Sequence, residues 1–314
     1  MIRPPSSDFW QVGIVPAPIT TFTRPSGLAG ISSRITWLPD PGPWRYLADP
    51  FGVQRNGATH VFVEAFDYRT KHAVIEHHEF GHDLVWHGKA TVLSRPFHLS
   101  YPYIIEHAGE VFMIPESQRA GEIALYWARE FPHQWVRETA LLSGIPGAEA
   151  SVLRHGDRWW MFFTVVGPQA RDQRELHVAY AENLTGPWQL HSQNPVRQDR
   201  RAARPGGTPF LTPDGAVILP VQDCGRTYGG ALRLLRFTTL TPEHVATELL
   251  DTELTGDLFS STHQDGCHTL SACGELTLID TKRIVRTWAR HKINLQRQMA
   301  RMGFGYVGRA AHET

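Results

Sequence analysis

Leu-Ala-Asp-Pro-Phe, at residues 47–51, opens a pattern of apolar runs and turns that recurs along most of the chain. A short apolar run follows the aspartate, a turn at Asn56-Gly57 reverses the chain, and a second apolar run ends at Glu64. Apolar runs separated by a glycine-containing turn are typical of β-hairpins. The pentapeptide therefore predicts the first strand of a hairpin, with one polar residue at its entry and another at its exit.

The same hairpin pattern is found four more times. The later copies begin near Ser100, Glu149, Arg204 and Cys267, and each has a glycine turn between its two apolar runs. A period of about 50 residues that is built from hairpins is typical of a propeller with one blade per repeat. We therefore predict an all-β fold, a five-bladed β-propeller with a short C-terminal helix.

The repeats divide the chain into three parts. We expect residues 1–44 to supply N-terminal strands that close the ring, residues 45–281 to form the propeller, and residues 282–314 to form a basic helix and tail. Ring closure would remove exposed sheet edges. The apolar spacing after Asp280 is closer to a helical than to a strand period. This helix could bind a partner or a membrane surface, or simply cap the propeller.

Composition narrows the functional class. The 314 residues include 31 basic and 31 acidic ones, so net charge gives no reason to expect nucleic acid or an anionic membrane as a partner. The three cysteines form no CxxC pair, which favours a reducing compartment over a disulfide framework. The N-terminal residues lack the apolar core of a secretory signal, and no apolar run could span a membrane. We expect a cytoplasmic protein, and its oligomeric state stays open.

The entry and exit residues of the hairpins are the candidate functional residues. Inner strands of a propeller surround its axis, so their polar ends converge at one end of that axis. Several carboxyl groups in one hollow raise each other's pKa, and one of them can then stay protonated near neutral pH. The acidic residues in such positions are Asp49, Glu64, Glu116, Glu149 and Asp223.

An ordered set of motifs carries a resemblance to a known family. The motifs lie at residues 48–51, 64–68, 97–102, 113–117, 204–205, 222–224, 228–230 and 266–269. Together they resemble the N-terminal propeller domain of plant glucosamine inositolphosphorylceramide transferase and its bacterial relatives, over about residues 9–281. The resemblance implies the propeller alone, without the glycosyltransferase domain that follows it in the plant protein.

That domain is in turn similar to the five-bladed propellers of family-43 glycoside hydrolases. The resemblance implies an aspartate from the first blade as base or nucleophile, a glutamate from another blade as general acid, and a further acid that tunes its pKa. On the matching positions we expect Asp49 to be the base or nucleophile and Glu116 the general acid. Glu149 is then the modulator or the alternative acid.

A second group of residues is expected to bind substrate hydroxyls or to orient these carboxylates. Arg204, for example, could hold Asp49 or Asp223 ionised, while Glu64 could instead capture backbone amides as a structural carboxylate. The histidines lack the paired spacing of a transition-metal site, so we expect none. The resemblance leaves room for a structural Ca²⁺ or Na⁺ near His268. The group comprises Glu64, Tyr101, Arg204, Gln222, Asp223, Tyr228 and His268.

Three functions fit these residues. The first is a glycosidase or transglycosidase that acts on a small glycoside or glycoconjugate in the axial pocket. The second is a sugar-binding propeller without catalysis, or an accessory to a separate transferase. The third is a propeller enzyme of a biosynthetic pathway that uses the same carboxylates for another acid/base reaction. We favour the first, and the identity of the sugar and the stereochemical outcome stay open.

Overall fold

The computed structural model describes residues 3–24, 28 and 30–301 and contains five antiparallel sheets. Each sheet is one blade, and the inner strands of neighbouring blades contact one another around a common axis. The predicted five-bladed β-propeller is therefore confirmed. Two strands precede the first blade, namely β1 (Ser6–Val15) and β2 (Thr36–Trp37).

The strands of each blade follow one another from the axis outward. Blade one contains β3 (Arg45–Arg55), β4 (Ala58–Asp67), β5 (His72–Phe80) and β6 (Trp86–Leu93). Blade two contains β7 (Ser100–His107), β8 (Glu110–Glu116), β9 (Glu122–Glu130) and β10 (Gln134–Ser143). Blade three contains β11 (Gly147–His155), β12 (Arg158–Val165), β13 (Glu175–Ala181), β14 (Gln189–Leu190) and β15 (Arg197–Gln198).

The last two blades are completed differently. Blade four contains β16 (Arg204–Pro205), β17 (Phe210–Leu211), β18 (Val217–Asp223), β19 (Ala231–Leu240) and β20 (Val245–Leu254). Blade five combines β21 (Leu270–Cys273) and β22 (Leu276–Arg286) with β1 and β2 from the start of the chain. Short helices are α1 (Gly256–Phe259) and α2 (Ala289–Arg301).

Pairing of β1 with β22 joins the two ends of the ring. The register runs from Ser6 opposite Arg286 to Val15 opposite Thr277, without interruption. This pairing corrects the expected start of the C-terminal helix. Residues 281–286 continue the strand, and α2 begins only at Ala289. Cross-strand hydrogen bonds to β1 outweigh the local helical spacing of apolar residues. The expected tail from Gly303 lies outside the described residues.

Helix α2 packs against blade one. The guanidinium carbon of Arg290 lies 4.0 Å from the ring centre of Tyr68, and Arg297 donates a hydrogen bond to the Tyr68 carbonyl at 3.1 Å. Ile293 is buried beside them. Within residues 3–24, 28 and 30–301, no helix has the length and continuous apolar character that a bilayer crossing requires.

Apolar clusters fill the contacts between neighbouring blades. Strand β4 illustrates how the two-residue period of a strand serves both neighbours. Its Val61 and Val63 pack in the cluster shared with blade five, whereas Phe62 packs in the cluster shared with blade two. The alternation explains why inner strands are apolar on both faces.

The same β-bulge recurs where three inner strands begin. Asp49, Tyr101 and Glu149 have φ angles of 50°, 45° and 54°, in a region that non-glycine residues rarely adopt. A bulge leaves one residue outside the normal alternation and redirects its side chain. The side chains of these three residues therefore do not follow the alternation of their strands. The register shifts lie between Ala48 and Phe51, Ser100 and Tyr103, and Ala148 and Ser151.

Candidate active site

The bulged residues lie at one end of the axis with acidic side chains from neighbouring strands. Burial raises the pKa of Glu64 well above its usual value, and the negative charges of Asp49, Glu116 and Glu149 add to that effect. The four carboxyl groups thus interact electrostatically, as their positions in the repeats predicted. They come from blades one, two and three, and their charges act on one another at this end of the axis.

Asp49 is fixed by hydrogen bonds from two other blades. Its Oδ2 accepts the backbone N–H of Tyr101 at 3.2 Å, and its Oδ1 accepts the hydroxyl of Thr269 at 3.1 Å. Its own N–H donates to Oδ2 of Asp280 at 3.0 Å. Burial raises the pKa of Asp49, while these donors and the nearby His268 oppose the rise. The donors stabilise the charged form of this carboxylate.

The imidazole of His268 links two carboxylates. Its Nδ1 lies 2.7 Å from Oδ2 of Asp280, and its Nε2 lies 3.4 Å from Oδ1 of Asp49. Trp10 of β1 stacks on the ring, with 3.8 Å between the ring centres. Burial lowers the pKa of His268, but the charges of Asp280 and Asp49 outweigh burial and raise it overall. This favours an imidazolium beside Asp49.

Asp280 is a site residue that the sequence analysis did not assign. It is fully buried, and its Oδ1 accepts the backbone N–H groups of both His268 and Thr269 at 3.0 Å. A signal existed, because Asp280 follows the second apolar run of its hairpin as Glu64 follows the second apolar run of the first. Asp280 therefore orients the residues around Asp49 from behind the pocket.

Arg204 gathers the acids on the other side of the pocket. Its Nη2 donates to Oε1 of Glu149 at 2.6 Å and lies 3.9 Å from Oε2 of Glu116. Its Nη1 donates to Oδ2 of Asp172 at 2.9 Å. Buried guanidinium groups require such charge-assisted partners. The structure corrects the expectation that Arg204 pairs with Asp49 or Asp223, and it adds Asp172, which the sequence did not indicate.

Glu116 and Glu149 differ in how closely they are paired. Burial raises the pKa of Glu116 to about 7 and that of Glu149 to about 8, although Arg204 lowers both. The short contact with Arg204 favours a charged Glu149. Glu116 has only the longer contact with Arg204, and in the described part of the chain neither its Oε2 nor Oε2 of Glu149 has a hydrogen-bond partner. Both carboxyl groups can therefore carry a proton near neutral pH, and Glu116 is the one that Arg204 contacts less closely.

Aromatic rings line the remaining wall. Tyr228 lies under the guanidinium of Arg204, 5.2 Å from its carbon, and meets the ring of His268 edge-on at 5.5 Å. Its hydroxyl is 3.5 Å from Nη2 of Arg204. Such rings combine an apolar surface with a polar group, as sugar-binding surfaces require. Tyr228 thus connects the Arg204 side of the pocket with the His268 side.

The family of the chain is decided by a match over most of its length. Residues 39–257 match the family described as "Glucosamine inositolphosphorylceramide transferase 1, N-terminal". The chain belongs to this family.

Curated relatives carry the same description. The glucosamine inositolphosphorylceramide transferase 1 of Oryza sativa subsp. indica is 32% identical over 207 residues, which cover 64% of this chain and 27% of that protein. The protein of the same name from Arabidopsis thaliana is 27% identical over 262 residues, covering 74% of this chain and 33% of that protein. The chain spans about a third or less of the length of the curated relatives it matches.

Solved structures with a similar fold are glycoside hydrolases. An α-L-arabinofuranosidase from Podospora anserina has a TM-score of 0.58 at 10% identity, covering 78% of this chain and 93% of that one. A GH62 α-L-arabinofuranosidase from Coprinopsis cinerea has a TM-score of 0.57 at 11% identity, with the same coverage. A family 117 glycoside hydrolase from Zobellia galactanivorans has a TM-score of 0.52 at 12% identity, covering 76% of this chain and 84% of that one. At this identity the likeness is one of fold.

Glu64 is held by side chains in this family member. Its Oε1 accepts the hydroxyl of Tyr46 at 3.3 Å and lies 3.3 Å from Nε2 of His98. Burial lowers the pKa of His98 to about 4, so the ring is neutral. These contacts come from side chains, whereas the expected alternative was a carboxylate that accepts hydrogen bonds from backbone amides. Glu64 instead forms part of the polar wall beside Asp49.

Tyr101 supports the pocket from behind. Its side chain is fully buried, and its hydroxyl accepts the N–H of Gly207 at 2.7 Å and lies 2.8 Å from the hydroxyl of Ser151. Its backbone N–H is the part that contacts Asp49. The structure therefore places Tyr101 as a residue that orients Asp49, one of the two roles expected for it.

Two other predicted residues lie outside the acidic cluster. Oδ2 of Asp223 pairs with Nε of Arg201 at 3.0 Å, so its carboxylate is used at the edge of blade four. The side chain of Gln222 is buried and donates to the carbonyl of Pro205 at 2.9 Å. Adjacent strand residues point to opposite faces, and neither of these two reaches the four carboxyl groups. The expected convergence of Asp223 with those groups was wrong.

The ligand atoms of Asp49, His268 and Asp280 lie within 4.8 Å of one another, where the resemblance allowed a Ca²⁺ or Na⁺ ion, but most of them already have hydrogen-bond or ion-pair partners. Both ring nitrogens face carboxylate oxygens, and both oxygens of Asp280 accept backbone N–H groups. Ca²⁺ takes about six to eight oxygen ligands, which this hydrogen-bonded set does not offer. We derive no step through a cation at this place.

Proposed function

We propose that the axial pocket is the active site of a glycosidase or transglycosidase that acts on a small glycoside or glycoconjugate. The observation that carries the proposal is the contrast between two buried carboxyl groups. Burial raises the pKa of both groups, but Asp49 accepts hydrogen bonds from Tyr101 and Thr269, while Glu116, with a pKa of about 7, keeps Oε2 without a partner among the described residues. Pairs of carboxyl groups with divergent pKa values are what glycoside cleavage uses.

The roles follow from these environments. Glu116 gives its proton to the leaving-group oxygen, which lowers the barrier to breaking the glycosidic bond. Asp49 attacks the sugar carbon or activates a water molecule on the opposite face. The charge of Asp49 raises the pKa of Glu116, which keeps the acid protonated while the base is ionised. His268 and Asp280 position Asp49, and Arg204 orients Glu149 through its short contact.

A second function is favoured by the names and lengths of the relatives. The curated relatives are named transferases, and the chain spans about a third or less of their length. In this alternative the pocket binds a sugar for a transferase reaction that is catalysed elsewhere. Arg204 and Tyr228 would then recognise the ligand, and the carboxylates would accept hydrogen bonds from its hydroxyl groups.

Substitution of the two carboxyl groups tests the first proposal. Asp49→Asn and Glu116→Gln are compared with the wild type on nitrophenyl furanosides and pyranosides. Each variant should lose about 10²- to 10⁴-fold in kcat, the contribution typical of acid/base groups. Asp157→Asn is the matched control, because its side chain is 86% exposed and lies outside the pocket. Unchanged turnover in both pocket variants would end the catalytic assignment.

Ligand binding separates the two functions. Saturation-transfer NMR with the same glycosides reports binding whether or not turnover occurs. Saturable binding by the wild type without turnover of any substrate in the panel, together with its loss in Arg204→Met, would favour the sugar-binding alternative. Turnover that disappears in Asp49→Asn while binding persists would support the enzyme.

A further inference from the structure

A second group of ionisable side chains lies on blade one, away from the axial pocket. His60 precedes Glu64 by four residues on β4, which corresponds to about 14 Å along a strand. His60 is paired directly with Glu79 of β5, and Phe62 is paired with His77. The two-residue period therefore puts His60, His77 and Glu79 on the same face of the blade.

The donor atoms of these three residues converge. Nδ1 of His60 lies 3.0 Å from Nε2 of His77, and the ligand atoms of His60, His77 and Glu79 lie within 4.8 Å of one another. Both imidazoles are buried, with 6% and 2% exposure, while the carboxyl side chain of Glu79 is 39% exposed. An ion can therefore reach the group from solvent along Glu79.

We propose that His60, His77 and Glu79 bind a divalent transition-metal ion such as Zn²⁺. Two imidazoles and one carboxylate are a common protein ligand set for Zn²⁺. Two nitrogens that each lie about 2.1 Å from one tetrahedral Zn²⁺ are about 3.4 Å apart, so the two imidazoles, whose nitrogens are 3.0 Å apart, would separate by a few tenths of an ångström on binding. The fourth position of a tetrahedral site stays open to water or a further ligand.

The protonation states favour binding. Burial lowers the pKa of His77 to about 3, and the neighbouring rings of His60 and His133 lower it further. Burial also lowers the pKa of His60, although Glu79 offsets part of that change. Both imidazoles are neutral at pH 7, the form that binds metals. The proton now shared between Nδ1 of His60 and Nε2 of His77 would move to Nδ1 of His77.

A histidine of blade two stands next to the site. His133 follows β9 in an exposed turn, and its ring centre lies 5.6 Å from that of His77, at an interplanar angle of 80°. Phe131 of the same turn packs edge-on against His60 at 4.8 Å. His133 is thus one candidate for the open coordination position, and a bound ion would then connect blade one with blade two. His87, whose Nδ1 lies 3.8 Å from Oε1 of Glu79, is another candidate.

Metal titration of the full chain, with any affinity tag removed, tests the proposal. Zn²⁺ is followed by isothermal titration calorimetry, and Co²⁺ by the visible absorption of a tetrahedral complex. One ion per chain is expected, with a rise in Tm on saturation. Replacing a residue that surrounds a metal site weakens metal binding by about 10- to 100-fold. Loss of a direct ligand should weaken binding at least as much.

Variants decide which residues hold the ion. His77→Gln and Glu79→Gln should both weaken binding, and Glu79→Gln alone suffices if His77→Gln does not fold, because Glu79 is partly exposed. His244→Gln on blade four is the matched control for an exposed histidine. Absence of saturable binding, or equal binding in Glu79→Gln and the wild type, would leave His60 and His77 as a hydrogen-bonded pair and overturn the proposal. Loss of binding in His268→Gln, with binding retained in His77→Gln and Glu79→Gln, would also overturn the proposal.

Discussion

At the scale of single residues, Asp49 and Glu116 are both buried acids, and their neighbours distinguish them. Asp49 accepts hydrogen bonds from Tyr101 and Thr269, while Glu116 keeps one oxygen without a partner among the described residues. Desolvation penalises charge in both. Hydrogen-bond donors and His268 offset part of that penalty at Asp49, and Arg204 offsets part of it at Glu116, so the same functional group meets different neighbours in the two places.

The pH dependence of activity follows from Glu116. Because the proposed acid must be protonated and its pKa is about 7, kcat/KM should fall as the pH rises through about 7. The remaining activity of Glu116→Gln should lack this decline. The measurement is a pH profile of the wild type and the variant between pH 5 and pH 9, with Asp157→Asn as control. A decline at the same pH in Glu116→Gln would assign it to another group.

The pH dependence of stability provides a check that needs no substrate. The pKa of Glu116 is about 7 in the folded protein, above its usual value of 4.5. The folded state therefore binds more protons at Glu116 between these values, so the contribution of Glu116 to stability is fully present below pH 4.5 and is lost as the pH rises through about 7. Glu116→Gln should reduce this fall. Thermal unfolding at several pH values measures it, and an unchanged slope in the variant would contradict the assignment.

Asp280 is expected to act through His268. Asp280→Asn keeps the shape but removes the charge that raises the pKa of His268, so that pKa should fall. Turnover should fall as well, because Asp49 loses the charged donor beside it. NMR titration of the His268 ring reports the pKa directly. An unchanged His268 titration in the variant would leave Asp280 with a purely structural role.

At the scale of elements, the segment between β16 and β17 closes the ring of inner strands. Gly207 bridges to Leu270 of blade five, and its backbone also contacts the hydroxyl of Tyr101 from blade two. A Cβ at this position would lie 1.8 Å from the Leu270 carbonyl oxygen. The close approach of three blades therefore requires a residue without a side chain.

Gly207→Ala should consequently destabilise the protein strongly. The clash is with backbone atoms that cannot move without separating blades four and five. Gly156→Ala is the matched control, since Gly156 also has a positive φ of 64° but faces open space. The control should cost about 1 kcal/mol or somewhat more. Denaturant unfolding compares the two, and similar losses in both variants would show that the close packing at Gly207 is unimportant.

At the scale of the whole molecule, the ring depends on strands from both ends of the chain. β1 pairs with β22 over its full length and carries Trp10, which stacks on His268. The fold and the pocket thus depend on the same strand. Closure leaves β22 without a free outer edge, which protects it from pairing with other molecules.

Deletion of residues 1–15 should therefore abolish the folded monomer. Without β1, the edge of β22 and the apolar cluster between blades five and one become exposed. Such edges promote aggregation. Size-exclusion chromatography and circular dichroism measure the outcome, with deletion of residues 1–4, which precede β1, as the control. A monomeric, cooperatively folding product from the longer deletion would contradict the closure role.

The five-blade architecture could be predicted from the sequence because hairpins are local. Turns such as Asn56-Gly57 and the alternation in β4 depend on neighbouring residues, and five such units leave few ways to arrange them. The entry positions of Asp49 and Glu149 follow from the same repeat. The sequence alone therefore predicts that these two acids lie at the same end of the axis.

Partners across blades could not be predicted, because they depend on geometry that no local pattern records. Arg204 reaches Glu149 and Asp172 instead of Asp49, and Asp223 turns away to Arg201. The bulges that redirect side chains depend on how strands pack. The start of α2 was likewise decided by pairing with β1.

The sequence by itself determined the number of blades and which acids approach the axis, since period and turn chemistry act over a few residues. Only the tertiary structure decided which acid is held charged, which can keep a proton, and how Asp280 and His268 support Asp49. Burial and hydrogen bonding set these properties, and both arise from residues that are distant in the chain, by 52 positions between Asp49 and Tyr101 and by 220 between Asp49 and Thr269.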